Sequence, residues 1–208
     1  MRSIGTLKSL ALSALASLAL LSTPVASASA QLYGNDAAAT KGGDLLDRDY
    51  WRAKWDSIRL DEAIKERQPE GAILMSVISA NNLLDDLIKK FPADQDFKTW
   101  KEHTKSIEGR ISSNANRGES FKPGSLWNER NYQETWVNYN YAKLGIEKKD
   151  WAAAKDGIRY ANQNIQSLVA RIKDNDRVAA WPDGAAKWVT DTQAELVKMQ
   201  TVVDAKIK

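Results

Sequence analysis

No cysteine occurs anywhere in the chain, and His103 is its single histidine. The first absence excludes disulfide staples, thiolate chemistry, cysteine-held zinc and a lipid-anchored amino-terminal cysteine. The second leaves no pair of imidazoles for a transition metal, and a Ser-His-Asp relay would have to be built on His103 alone. No Asn is followed by x-Ser/Thr, so N-glycosylation is excluded. Glycine-rich phosphate loops, dinucleotide fingerprints and a nucleophile elbow are also missing. No cofactor is implied, and no metal site.

Charge of one sign is lacking too. The chain carries 30 Lys+Arg against 27 Asp+Glu, and Arg2 and Lys8 fall within an amino-terminal leader. The remainder is close to neutral, with both signs interleaved, whereas a phosphate-tracking surface is clustered and basic. Nucleic acid is therefore not an expected partner. After the leader the longest strongly apolar stretch is Ala72 to Ala80, far short of the roughly 20 residues that span a membrane.

What is present begins with the leader. Arg2 and Lys8 form a basic start, Ser9 to Leu21 is a run of Leu, Ala and Ser, and Pro24 breaks it. Ala28-Ser29-Ala30 supplies the small-x-small pattern of a signal peptidase site. Residues 1–30 are expected to be a signal peptide, with cleavage after Ala30 and a secreted or periplasmic product. Residues 31–43, rich in Ala, Gly and Asn without periodicity, are expected to be a flexible lead-in.

Residues 44–208 are expected to form one all-α domain, an antiparallel bundle of five to six helices. Asp44 is the expected cap of a first helix carrying Trp51, Trp55, Ile58, Leu60 and Ile64 to about Arg67. Pro69 suits the first position of a second, which ends before Pro92. Asp94 opens a third, with Phe97, Trp100, Ile107 and Ile111 on one stripe. Ser112 to Gly124 is the clearest loop, and Ser125 is the expected cap of a fourth helix through about Leu144. Asp150 opens a fifth with Trp151, Ala154, Ile158, Ala161, Ile165, Leu168 and Ile172 in a sustained 3-4 spacing. A turn at Trp181-Pro182-Asp183-Gly184 precedes a last helix with Val189, Leu196, Met199 and Val203.

Asp150-Trp151-x-x-Ala154, followed by Ile158 and Ala161, resembles the second helix of a tetratricopeptide unit over some two dozen residues. No copy recurs at the period of roughly 34 residues, and a lone unit has no neighbour to stack on, so a single helical hairpin is expected.

The working surface is expected on the fourth helix. Trp127 to Tyr141 holds two Trp, three Tyr and Asn128, Asn131, Asn138 and Asn140. Trp127, Trp136, Asn138 and Tyr139 are the candidate binding residues, because ring faces give contact area and amides set orientation. They point to a non-catalytic module that binds a protein or a small polar ligand; oligomeric state is left open. A hydrolase or lyase would need two buried acids converging on a cleft, and a structural envelope component would self-assemble without one. Mass determination of the chain recovered from its native cell should find Gln31 at the amino terminus; an uncut Met1 would overturn the leader assignment.

Overall fold

The computed structural model describes residues 44–172 and 184–207. The leader, the lead-in and most of the Trp181–Gly184 turn lie outside them. Among the described residues there are six α-helices and no strand: α1 (Arg48–Lys65), α2 (Glu70–Lys90), α3 (Gln95–Glu108), α4 (Arg130–Glu147), α5 (Trp151–Ile172) and α6 (Ala185–Asp204). A 3-10 turn, Leu126–Asn128, precedes α4. The all-α bundle is as expected.

Helices α1, α2 and α3 pack in sequence, α4, α5 and α6 pack around one another, and α1 lies against α4. Aromatic rings make that crossing. Trp55 is 5.4 to 6.0 Å, centroid to centroid, from Tyr132, Trp136 and Trp127. Trp51 reaches Trp136 at 5.9 Å, and Tyr50 links Trp51 to Phe97 and Trp100 of α3. On the far side Tyr132 meets Trp188 of α6 at 4.7 Å. One continuous file of rings thus runs from α3 to α6.

The expected helices form, with ends that differ in instructive ways. Asp47, not Asp44, caps α1, accepting from the N–H of Asp49 at 2.8 Å and Tyr50 at 3.3 Å. Pro69 stands at the N-cap of α2 and offers no side-chain bond. A far loop supplies the cap: Glu119 Oε2 accepts the Gly71 N–H at 3.1 Å. Ser125 caps only the 3-10 turn, and α4 starts at Arg130 without a side-chain cap. Asp94 and Asp150 cap as expected.

Two helices end in the same way. At the end of α1, Gln68 N–H reaches Ala63 O and Arg67 N–H reaches Ile64 O; at the end of α4, Asp150 reaches Gly145 and Lys149 reaches Ile146. These are Schellman closures, which need a left-handed residue usually supplied by glycine. Here Arg67 (φ 53°) and Lys149 (φ 59°) take that role.

The α4–α5 hairpin is tight because small residues face each other. A Cβ on Gly157 would stand 2.8 Å from Ala142 Cβ, and one on Gly145 would stand 2.8 Å from Ala154 N. Ala154, Ile158, Ala161, Ile165 and Leu168 are fully buried, so the 3-4 stripe is the core face of α5. Helix α2 is long and apolar enough to cross a membrane by length and composition. Its Ile73, Val77, Ala80, Leu84 and Leu87 are nevertheless buried in this bundle, as in the central helix of a globular core.

The Ser112–Gly124 loop is pinned down. Gln68 accepts the Lys122 N–H at 3.0 Å, Glu66 accepts the Trp127 indole N–H at 2.6 Å, and Glu70 accepts the Ser112 N–H at 3.2 Å. The Asn116 carbonyl oxygen lies only 1.7 Å from where a Cβ on Gly71 would be. In a solvent-facing helix Gly→Ala gains about 1 kcal/mol, but here the methyl would displace backbone. Gly71→Ala should therefore lower stability by about 1–3 kcal/mol in urea melts, and a gain would refute the close approach. Lys149→Gly should raise stability by about 0.5–1 kcal/mol, since a left-handed Cβ costs about 1–2 kcal/mol and glycine's larger chain entropy offsets part of that; an unchanged midpoint would count against the closure described.

Candidate functional site

Helical spacing lines up a polar stripe beside the aromatic file. On α1, Arg48, Arg52, Asp56 and Arg59 recur at four, four and three residues; on α4, Glu134, Asn138 and Tyr141 recur at four and three. Asp156, Arg159 and Tyr160 of α5 complete the group. Arg52 grips Glu134 with Nε and NH2 at 3.3 and 3.2 Å, and holds Asp49 with NH1 at 3.0 Å. Arg48 donates through Nε to Asn138 Oδ1 at 2.9 Å and through NH2 to Asp156 Oδ2 at 2.7 Å. Asn138 returns its amide to the Glu134 carbonyl at 2.8 Å.

Charge and burial pull against each other along the stripe. Burial would depress the Arg52 guanidinium, but Glu134 and Asp49 hold it above its ordinary value. The hydrogen bond from Arg48, with Arg159 adding to it, holds the Asp156 carboxyl below its ordinary value. Asp56 is different. It is the one carboxylate among the described residues that is buried, 5 % exposed. Burial pushes its carboxyl up, opposed by Arg59 and Arg52. Arg59 NH2 stands 3.0 Å from Asp56 Oδ1, yet off the line of a hydrogen bond, and Arg59 Nε makes none either.

At the outer edge of the stripe, rings and guanidinium groups alternate. The Arg48 guanidinium carbon lies 4.6 Å from the Tyr141 ring centre and 4.9 Å from that of Tyr160; Arg159 lies 4.5 Å from the Tyr160 ring. Asp156 bridges both arginines, with Arg159 NH2 at 2.6 Å. Tyr160 is 38 % exposed, one of few large hydrophobic side chains to face solvent among the described residues.

The four residues expected to form a working surface lie in the interior. Trp127, Trp136, Asn138 and Tyr139 are between 2 % and 6 % exposed. Helix α4 touches α1, α5 and α6, so aromatics on different sides of it each meet a different neighbour. Trp127 and Trp136 enclose Trp55, and the Tyr139 hydroxyl is pushed well above its ordinary value by burial and by Glu195. Only Asn138 joins the polar stripe. Arg48, Arg159 and Tyr160 were not singled out in the sequence; the signal was the repeat of charged positions flanking Trp51 and Trp55.

No protein-family profile matches this chain, and no curated protein or solved structure does either. The residues themselves must carry the functional reading.

Other chemistry has little to build on. A cavity of about 340 Å³ opens at the start of α2, lined by Glu70, Ser112, Asn114, Asn116 and Glu119 among others. Both carboxylates are exposed and already bonded to backbone N–H groups. His103 Nε2 lies 3.1 Å from Asp61 Oδ1 on the outer side of α3, where it ties that helix to α1. Among the described residues no three His, Asp or Glu side chains are grouped to hold a metal ion.

The sign of the Asp56 shift yields a test. Its carboxyl binds a proton more tightly in the folded chain, so its contribution to stability declines as pH rises from the ordinary carboxylate value toward the raised one. Urea melts of wild type and Asp56→Asn between about pH 4 and pH 7 should show the difference moving in the variant's favour as pH rises. A constant difference would mean that Asp56 titrates as an exposed acid.

Proposed function

We propose that this protein is an exported, non-catalytic helical module that binds a protein partner through the Arg48–Tyr141–Tyr160–Arg159 edge. The observation that carries the reading is a partly exposed Tyr160 whose ring centre lies 4.9 and 4.5 Å from the Arg48 and Arg159 guanidinium carbons. Tyrosine and arginine are over-represented among residues that dominate binding energy. A ring fixed in advance loses little conformational entropy when a partner covers it. Each ring–guanidinium contact at such a site stabilises by about 0.5–1 kcal/mol, enough to orient the ring and too little to explain its exposure as a core need.

The rest of the molecule favours an outward-acting role. Trp51, Trp55, Trp100, Trp127, Trp136 and Trp188 are buried in the core, and Asp56 is the one buried acid among the described residues. Export rests on the composition of residues 1–30.

The test is quantitative co-isolation from the native envelope fraction. Tyr160→Ala combined with Arg159→Ala should cut recovery of the bound partner by about ten-fold or more while leaving the melting curve near wild type. Undiminished recovery with the doubly substituted chain would end this assignment.

A further inference from the structure

The four residues ahead of α1 are held from three helices. Asp44 Oδ1 accepts the Tyr50 hydroxyl at 2.5 Å and Lys54 Nζ at 3.0 Å, while Lys148 Nζ at the end of α4 reaches the Asp44 carbonyl at 3.1 Å. Asp47 Oδ1 caps α1, and its Oδ2 takes an ion pair from Lys90 at the end of α2. Between them Leu45 and Leu46 are half-buried against the core. Beneath lie Tyr50, fully buried, and Trp51, whose ring faces Lys54 at 5.1 Å.

We propose that residues 44–47 are an electrostatic strap that closes this end of the bundle across α1, α2 and α4, and that it opens as a unit when Asp47 loses its charge, uncovering Tyr50 and Trp51. Apart from the packing of Leu45 and Leu46 and the Lys148 bond to the Asp44 carbonyl, two carboxylates carry the attachment. One of them, Asp47, serves as helix cap and as the partner of Lys90, so a single proton weakens both contacts. The charged and titratable groups facing Asp47 are Lys90 and Asp49; those facing Asp44 are Tyr50, Lys54 and Lys148. The direction of titration agrees with this. Burial alone would push the Asp47 carboxyl up, but Lys90 and the N–H groups of Asp49 and Tyr50 hold it below its ordinary value. Its contribution is therefore complete above the ordinary carboxylate range and is lost as pH falls through the lowered folded value. Lys90 is exposed, so added salt should weaken the same contact.

Amide hydrogen exchange on the purified chain tests the strap. Between about pH 7 and pH 3, after correction for intrinsic rates, the Asp49, Tyr50 and Trp51 amides should lose about three-fold or more of their protection while α4 and α5 remain protected. Asp44→Asn and Asp47→Asn should each bring that local opening to neutral pH. If either fails to fold, Lys90→Met and Lys148→Met serve instead, with about three-fold loss expected, confined to the same amides. Exchange of these amides only together with the whole bundle would overturn the proposal, as would wild-type protection in the variants at neutral pH.

Discussion

Trp55 holds the two halves of this bundle together. It is 1 % exposed and is met by Trp127, Tyr132 and Trp136, all contributed by the segment that leads into and forms α4. Helices α1 to α3 could pack as one local group and α4 to α6 as another. The ring contacts between α1 and α4 make them one body. Large rings suit this junction because they bury much area per residue, and they prefer tilted or edge contacts that fix a crossing angle. In a chain without cysteine, no covalent link shares that task.

The polar stripe beside the rings has a different role. Part-buried ion pairs such as Arg52–Glu134 gain in attraction but lose hydration, so their net contribution to stability is small. What Arg48 and Arg52 do is index α1 against α4 and α5, because a shift of α1 by one helical turn would pair Arg52 with the wrong partner. Asp56 marks the cost of that arrangement, a buried charge only partly met by Arg59. Replacing such groups by apolar ones is often stabilising, so their presence is better explained by register than by strength.

The helices were legible because apolar spacing is a property of the chain alone. Ala154 to Leu168 announced the core face of α5, and Pro92, Asp94 and Asp150 marked boundaries through their own backbone preferences. Features that depend on residues distant in sequence were not legible. The cap of α2 comes from Glu119, and Trp127 finds Glu66 across the α1–α2 turn; neither has a local signature. The candidate surface was misplaced for a related reason. Aromatic residues on several sides of a helix indicate either exposure or a helix with several neighbours, and α4 has three. The Tyr160 edge was hidden because Arg48, Tyr141 and Arg159 come from three separate segments.

The Glu119–Gly71 bond has a kinetic consequence. Its partners are 48 residues apart, and the Arg52–Glu134 pair is separated by 82. Closing such long chain loops is entropically slow compared with winding adjacent helices. The first turn of α2 thus has its cap only when the Ser112–Gly124 segment has returned to it.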